Sequence, residues 1–598
     1  LTLGLAFKFT SDPKYASCAF AFLRGFRQKT RPGRGISYAS PAAVAQRAVS
    51  WALCRELFKK CEADNPFETS GFLTDLAAEV SYALGRVSSV DNMPCPAEIL
   101  MCLLPVYGLL ILNPDFPERR SLVEKVFVDI QKYLSELINS EGAYLDGSLP
   151  ALYSIYQGMV FALVSSFKAG ADPAARLKLS LDPAFLGKIF SVTDFLRSMA
   201  LPDGRLPMIS DHFPGFHLPF SYKEGLDLLP LFQLASFITG ERELKYLTAN
   251  HKVSEIMMIF GEEGVSKFAA LPVSPVREMR TAFERSGYYV SSSSYGPYSE
   301  TASATRVFFD AGVQPAPEGE NPWKCALSHA DMQSFGIYHG GTDFICDAGP
   351  SIVHGGNKYG EHLRSARAHN VVILGRSAFY SADRDLGTVQ MPMPHNVKFS
   401  DEGDKASFSC THDGYEAAGL EASVRRMMLF VKPYYLLVVD DVLSSRKRPS
   451  LIDAEIYFHL SPDVITAESN SFFHSHPVVL RSRKSEARIL MITNSMQKVT
   501  TSFYRGSQKP FLGWHSPECG IVSESTTIIN SISLAKAPFR VCELFYFINS
   551  DDNFGALAKT IKFKADKPGQ DMEIYHRGMK DVIKINEKME FELYRNRV

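Results

Sequence analysis

The sequence predicts an α+β multidomain chain, with a helical first half followed by an antiparallel β half. Three observations carry that expectation. Apolar residues recur every three to four positions up to about residue 270. A proline-containing stretch, "LPVSPV" (271–276), reads as a linker. Beyond it, short β-branched and aromatic runs alternate with turns. At 598 residues the chain exceeds one ordinary core. The expected domains are therefore 1–270, helical, and 277–598, an antiparallel β-sandwich.

In the first half, "AVAQRAVSWALCRELFKKC" (43–61), "FLTDLAAEVSYAL" (72–84), "SLVEKVFVDIQKYLSELIN" (121–139), "SIYQGMVFALVSSF" (154–167) and "EGLDLLPLFQLASFITG" (224–240) each show an apolar stripe at helical spacing. Pro, Gly and Asp punctuate the gaps, as in "TRPGRG", "NPDFPE" and "ALPDG". Helices of this kind need neighbours to cover their stripes. A bundle, a solenoid and a ring of helical hairpins all satisfy that need.

In the second half, "SGYYVSSSS", "HNVVILG", "ASFSCTHDGY", "RRMMLFVKPYYLLVVDDVL", "AEIYFHL" and "EARILMIT" read as strands. Strands without intervening helices imply antiparallel sheets, most simply a sandwich. The runs from about 535 onward either complete that sandwich or form a small further sheet.

Composition narrows the function classes. Lys plus Arg total 64 against 65 Asp plus Glu, a net charge of -1, which argues against general nucleic-acid binding while allowing a local basic cleft. The apolar run "ILMCLLPVYGLLIL" (99–112) is shorter than a membrane span and contains Pro105. The ten Cys form no CxxC pairs, so neither a zinc knuckle nor a disulfide scaffold is expected. No leader is visible in the chain, which begins at Leu1.

The stretch "SHADMQSFGIYHGGTDFICDAGP" (328–350) concentrates the chemistry. His329, Asp347 and His369 are the residue types that bind a first-row divalent ion, and two imidazoles with one carboxylate leave a tetrahedral position open. Asp331 is placed to orient His329 or to ligate as well. A clean two-residue turn at Gly340-Gly341 pairs His339 with Thr342 and Ser334 with Asp347, which leaves His329 on the other parity. A three-residue turn or a bulge moves Gln333 opposite Asp347 and restores one face, so the metal reading requires an irregular hairpin. The plain alternative is that Asp347 caps a turn before Ala-Gly-Pro and His369 opens an ordinary strand.

Together with "LRSARAHNVVILG" (363–375), this stretch resembles the central signature of the heparinase II/III-like polysaccharide lyase family. "LAFKFTSDPKYA", "PGRGISYASPAAVAQRAVSW", "YLDGSLPALYSIY", "LPDGRLPMISDH" and "RRMMLFVKPYYLLVVDDV" resemble further family segments, so the likeness extends over about 450 residues. The resemblance implies an incomplete (α/α) toroid followed by an antiparallel β-sandwich, with a substrate cleft between them. It also implies β-elimination on a uronic-acid-containing, acidic polysaccharide, and a structural zinc held by His329, Asp347 and His369. A periplasmic or secreted location goes with that reading. One departure stands out: many relatives read His-x-His-Ala-Asp, and Leu327 takes the first His position here.

β-Elimination needs a group that neutralises the uronate carboxylate, a base at C5 and an acid at the leaving oxygen. By resemblance, Asn92 in "SVDNMPCPAEIL" is the carboxylate partner, although Met93 replaces the following His; a helix-capping Asn is the plain alternative. Tyr153 is the first candidate for proton transfer, Tyr156 its rival, and Tyr359 a further donor or relay. For both Tyr153 and Tyr156 the alternative is a packed aromatic. Arg364 suits a grip on a carboxylate or sulfate, whereas Arg367 suits an internal ion pair. His212 and His412 are candidates for substrate contact. Two other functions fit the same residues: a uronate C5 epimerase, and a glycan-binding or assembly protein without turnover.

Overall fold

The computed structural model describes residues 1–59, 61, 65–69, 71–88, 96–169, 182–211, 225–298, 303–312, 327–351, 358–375, 393–417, 420–444, 451–468, 477–565 and 571–598. The chain forms two compact units. One comprises Leu1–Arg197, Phe213–Pro275 and Pro317–Ala326; the other comprises Ser198–His212, Val276–Ala316 and Leu327–Val598.

The first unit is built from helices. Pro96–Leu112 and Leu149–Lys168 are its central pair, buried nearly all round, which is why their sequences are apolar on every face. They approach closely because glycine faces the partner. A Cβ on Gly108 would lie 2.4 Å from the Phe161 ring, and one on Gly158 would lie 3.1 Å from Leu104 Cβ. Leu149–Lys168 starts where Ser148 Oγ accepts from Ala151 N at 3.0 Å, with Pro150 in the first turn. By length and hydropathy this helix is also able to cross a membrane, but its apolar window is wholly buried, the position of a core helix.

The second unit is antiparallel. Its largest sheet has eight strands in the order Val464–Glu468, Val478–Ser482, Arg488–Ser495, Phe539–Ile548, Tyr435–Ser444, Ala422–Val431, Lys405–His412 and Pro394–Glu402. The period-two rule divides its central residues between two cores. Met428, Phe430, Leu436, Val438 and Phe545 enter one core, while Met427, Leu429, Tyr435, Leu437 and Leu544 enter the other. Burial on both faces explains why "RRMMLFV" and "YYLLVV" read as continuous apolar runs without alternation.

The first of these cores is shared with a four-stranded sheet (Thr500–Arg505, Thr526–Lys536, Leu451–His459, Val372–Leu374) and a five-stranded sheet (Ala282–Phe283, Tyr288–Ser292, Arg306–Asp310, Phe335–His339, Thr342–Ile345). Phe335 meets Phe458 and Phe545 there, with ring centroids 6.3 and 6.0 Å apart. The second core is closed by a separate sheet of Lys562–Lys564, Met572–His576, Met579–Ile585 and Phe591–Arg597, which contributes Ile574 and Ile583. The runs expected from about 535 thus divide between the large sheet and this terminal one.

Candidate functional site

The hairpin that leads to the site is irregular, as the metal reading required, but in a different way. Gly340 and Gly341 make a two-residue turn with φ of 54° and 86°, pairing His339 with Thr342. The irregularity is a bulge: Tyr338 faces Asp343, yet Ile337 faces Ile345. The shift runs opposite to the one that would have set Gln333 against Asp347. Nor does the strand reach back to His329. Gln333 has φ 67°, Ser334 N donates to Asp331 O at 2.7 Å, and the chain turns there before the strand begins at Phe335. His329 therefore sits on a loop, held by its surroundings and not by sheet register.

His369 is placed by its neighbour Asn370. The Asn370 amide donates to Phe335 O at 2.8 Å and Cys346 O at 3.0 Å, and its Oδ1 accepts from His459 N at 2.7 Å. One side chain thus joins both hairpin strands to the strand Leu451–His459. Asn370 O also accepts from Arg426 Nη1, which reaches Gln333 O at 2.8 Å as well. Arg426 is fully buried and faces Asp440 directly across the strand pair, with two bonds of 2.7 Å.

These loops bring His329, Asp347 and His369 together. All three are buried, and one ligand atom from each lies within 4.8 Å of the others, a group able to hold a metal ion. His369 Nδ1 donates to Asp347 Oδ2 at 2.9 Å, while Asp347 Oδ1 accepts from Gly349 N at 2.8 Å. Asp347 therefore caps its turn and joins the cluster at once. His329 Nδ1 and His369 Nε2 are buried with no hydrogen-bond partner, an arrangement that costs free energy unless something fills it. Two such nitrogens beside a carboxylate fit a divalent ion of the zinc type.

Burial alone would lift the Asp347 carboxyl, but His369 and His329 outweigh it and hold it below its usual range. Burial would likewise lower His369, but Asp347 raises it. Burial lifts Asp331, which lies beside both imidazoles and is 1% exposed. It is not the group that bonds to His329.

That group is Asp211, which sequence reading missed. Its Oδ1 accepts from His329 Nε2 at 2.9 Å and from Ser351 N at 2.6 Å; its Oδ2 accepts from Arg364 Nε at 2.6 Å. Asp211 is fully buried, and His329 and Arg364 hold its carboxyl far below the ordinary value despite that burial. It immediately precedes His212 in "LPMISDH", so the signal lay one residue from the candidate that drew attention.

The other candidates are spread more widely. Asn92 and His212 lie outside the described residues. Tyr153 and Tyr156 lie on the helix Leu149–Lys168, and both are buried. Tyr153 donates to Asp227 O at 3.0 Å, and burial pushes its phenol pKa up. The Tyr156 hydroxyl pairs with Thr193 Oγ1 at 2.9 Å. Tyr359, on the short helix Lys358–Arg364, is half-buried against Phe511 and Trp514, with centroids 5.1 and 5.2 Å away. Arg364 is engaged by Asp211, and Arg367 is exposed. His412 is 1% exposed, its Nδ1 accepts from Gly414 N at 3.2 Å, and burial lowers its pKa to about 4.

The helical part and the packed antiparallel sheets define a fold class, an incomplete (α/α) toroid followed by an antiparallel β-sandwich. Solved structures share it. A heparinase III gene product matches with a TM-score of 0.66 at 14% identity, covering 100% of this chain and 83% of that one. A second heparinase III matches at 0.66 and 15%, covering 100% and 81%. Heparan sulfate lyase HepC from Pedobacter heparinus matches at 0.58 and 14%, covering 100% and 80%. At such identities these likenesses establish the fold alone. No curated protein matches the sequence. Residues 275–541 match the family described as Heparinase II/III-like, C-terminal. This stretch is a heparinase II/III-like domain, and the resemblance seen in its motifs is borne out.

Proposed function

We propose that the chain is a polysaccharide lyase that cleaves a uronic-acid-containing polysaccharide by β-elimination. The observation that carries this reading is the family match over 275–541, with the buried His329–Asp347–His369 cluster inside it. The solved structures of like fold, named as heparinase III and heparan sulfate lyase, support it.

In this reaction a base removes the uronate C5 proton and the electron pair forms the C4–C5 double bond. The C4–oxygen bond breaks, and the departing oxygen takes a proton. Asn92 is assigned to the uronate carboxylate, where an amide dipole offsets charge as it develops. Tyr153 is assigned to proton transfer. Burial keeps its phenol protonated, which suits the donating half of the reaction, and substrate has to displace the Asp227 carbonyl from its hydroxyl. His329, Asp347 and His369 would hold zinc, which when bound cross-links the loops that carry them.

A glycan-binding protein without turnover is the second reading. It is favoured by the buried, occupied hydroxyl of Tyr153 and by Leu327 in place of a His. Incubation with heparan sulfate, chondroitin, hyaluronan and alginate separates the two readings. A rise in ultraviolet absorbance from an unsaturated uronate supports the lyase, and binding with no rise supports the alternative. A periplasmic or secreted site of action belongs to the lyase reading.

A further inference from the structure

We propose that Asp211 is the outer carboxylate of the metal centre, selecting the nitrogen through which His329 binds the ion and tying that ion to Arg364. The proposal rests on the reading that His329, Asp347 and His369 hold a divalent cation.

His329 has two ring nitrogens and no exposure to solvent. Its Nε2 is 2.9 Å from Asp211 Oδ1. An ionised carboxylate can only accept, so the ring proton belongs on Nε2. The lone pair is then left on Nδ1, which is buried without a partner. An imidazole locked in one tautomer by a carboxylate on its far nitrogen is the usual outer partner of a metal-bound histidine. For His329 this fixes Nδ1 as the ligating atom.

Asp211 is itself fixed from several directions. Ser351 N and Arg364 Nε each donate to it at 2.6 Å, and its own amide donates to Leu327 O at 2.9 Å. Arg364 Nε also reaches Ser351 Oγ at 2.9 Å, and Arg364 O accepts from Ala330 N at 3.0 Å. The residues on either side of His329 are thus held by Asp211 and by the arginine that Asp211 pairs. Within the second unit, the segment Ser198–His212 contributes this one carboxylate to loops that lie more than a hundred positions later in the chain.

The test uses the full chain, stripped with a chelator and reloaded with zinc, and measures zinc affinity by competition with a chromophoric chelator. Asp211→Asn preserves shape while removing the charge, and is expected to weaken zinc binding roughly 10- to 100-fold. In a His329→Ala background the same change is expected to produce no further loss, because Asp211 acts through that ring. The zinc-induced rise in Tm is expected to shrink in parallel. Asp211→Ala is expected to lose at least as much affinity, and Asp211→Asn carries the test if the alanine variant does not fold. Wild-type affinity in Asp211→Asn, with or without a lower Tm of the metal-free protein, overturns the role of Asp211 and leaves the metal centre standing. A wild-type chain that binds no stoichiometric zinc overturns the metal reading, and this proposal with it.

Discussion

The hydroxyl of Tyr153 donates to the main-chain oxygen of Asp227 at 3.0 Å, inside the helical unit and away from bulk solvent. Asp227 Oδ1 in turn accepts from Leu229 N at 3.0 Å, at the start of the helix Leu229–Thr239. The phenol therefore has a fixed direction, and burial keeps its proton in place. This geometry makes removal of the hydroxyl a clean probe. Tyr153→Phe loses one hydrogen bond, about 1 kcal/mol, so the fold is expected to survive. Turnover is expected to fall by roughly 10²- to 10⁴-fold, the range for a lost acid–base group. Steady-state rates beside a thermal melt check both. Full activity in this variant removes Tyr153 from the mechanism and turns attention to Tyr156 and Tyr359.

His369→Ala is expected to release the metal and lower Tm. The change removes one of three donors and leaves Asp347, now without the imidazole beside it, buried in the same pocket. Elemental analysis of the purified variant against wild type reads the first effect and calorimetry the second. Unchanged metal content refutes the assignment of His369 as a ligand.

Glu98 gives a pH test of the helical unit. It is buried on the helix Pro96–Leu112, with Ser40 Oγ donating to it, and burial pushes its pKa from the ordinary 4.5 to about 7. Between those values the unfolded chain releases the proton while the folded chain retains it. The wild type therefore loses stability as pH rises through that window and changes no further above it. Glu98→Gln removes the loss. It is expected to raise stability by an amount on the order of 3 kcal/mol at about pH 8, with the gain vanishing at about pH 4. Denaturant melts at the two pH values measure the difference, and a pH-independent gap between the proteins contradicts this account.

Arg426 and Asp440 form a buried ion pair in the strand-rich unit, 0% and 1% exposed. Arg426→Ala strands a charge and leaves the Gln333 and Asn370 carbonyls without their donor. A loss of about 3–5 kcal/mol is expected. Replacing both members with apolar residues of similar volume, Arg426→Met with Asp440→Leu, is expected to recover much of it. Chemical denaturation of the single and double variants decides the matter, and a double variant no better than the single one argues that the carbonyl contacts dominate.

Much of the fold was legible in the sequence because it is written in periodicity. The helical stripes and the turn-bounded strands announced the two regimes, and the doubly buried strands Ala422–Val431 and Tyr435–Ser444 were visible as apolar runs. The cluster of His329, Asp347 and His369 was also legible, through residue type and motif. The manner in which it assembles was not. Strand parity demanded an irregular hairpin, but the bulge falls near Phe344, and the chain turns at Gln333, where Gln333 N donates to Asp310 O and Ser334 N to Asp331 O. Asp211 escaped because its bond to His329 spans 118 positions, and no local spacing records such a contact. The acidic partner of Arg364 was hidden for the same reason, since it lies 153 positions earlier.

The central claim, that this chain breaks a glycosidic bond by elimination, is tested most directly by digesting uronate polymers in water enriched with oxygen-18 and weighing the products. Elimination adds no water, so the account predicts new chain ends that carry a double bond and no heavy oxygen. Products that have gained the label and lack the double bond would contradict it.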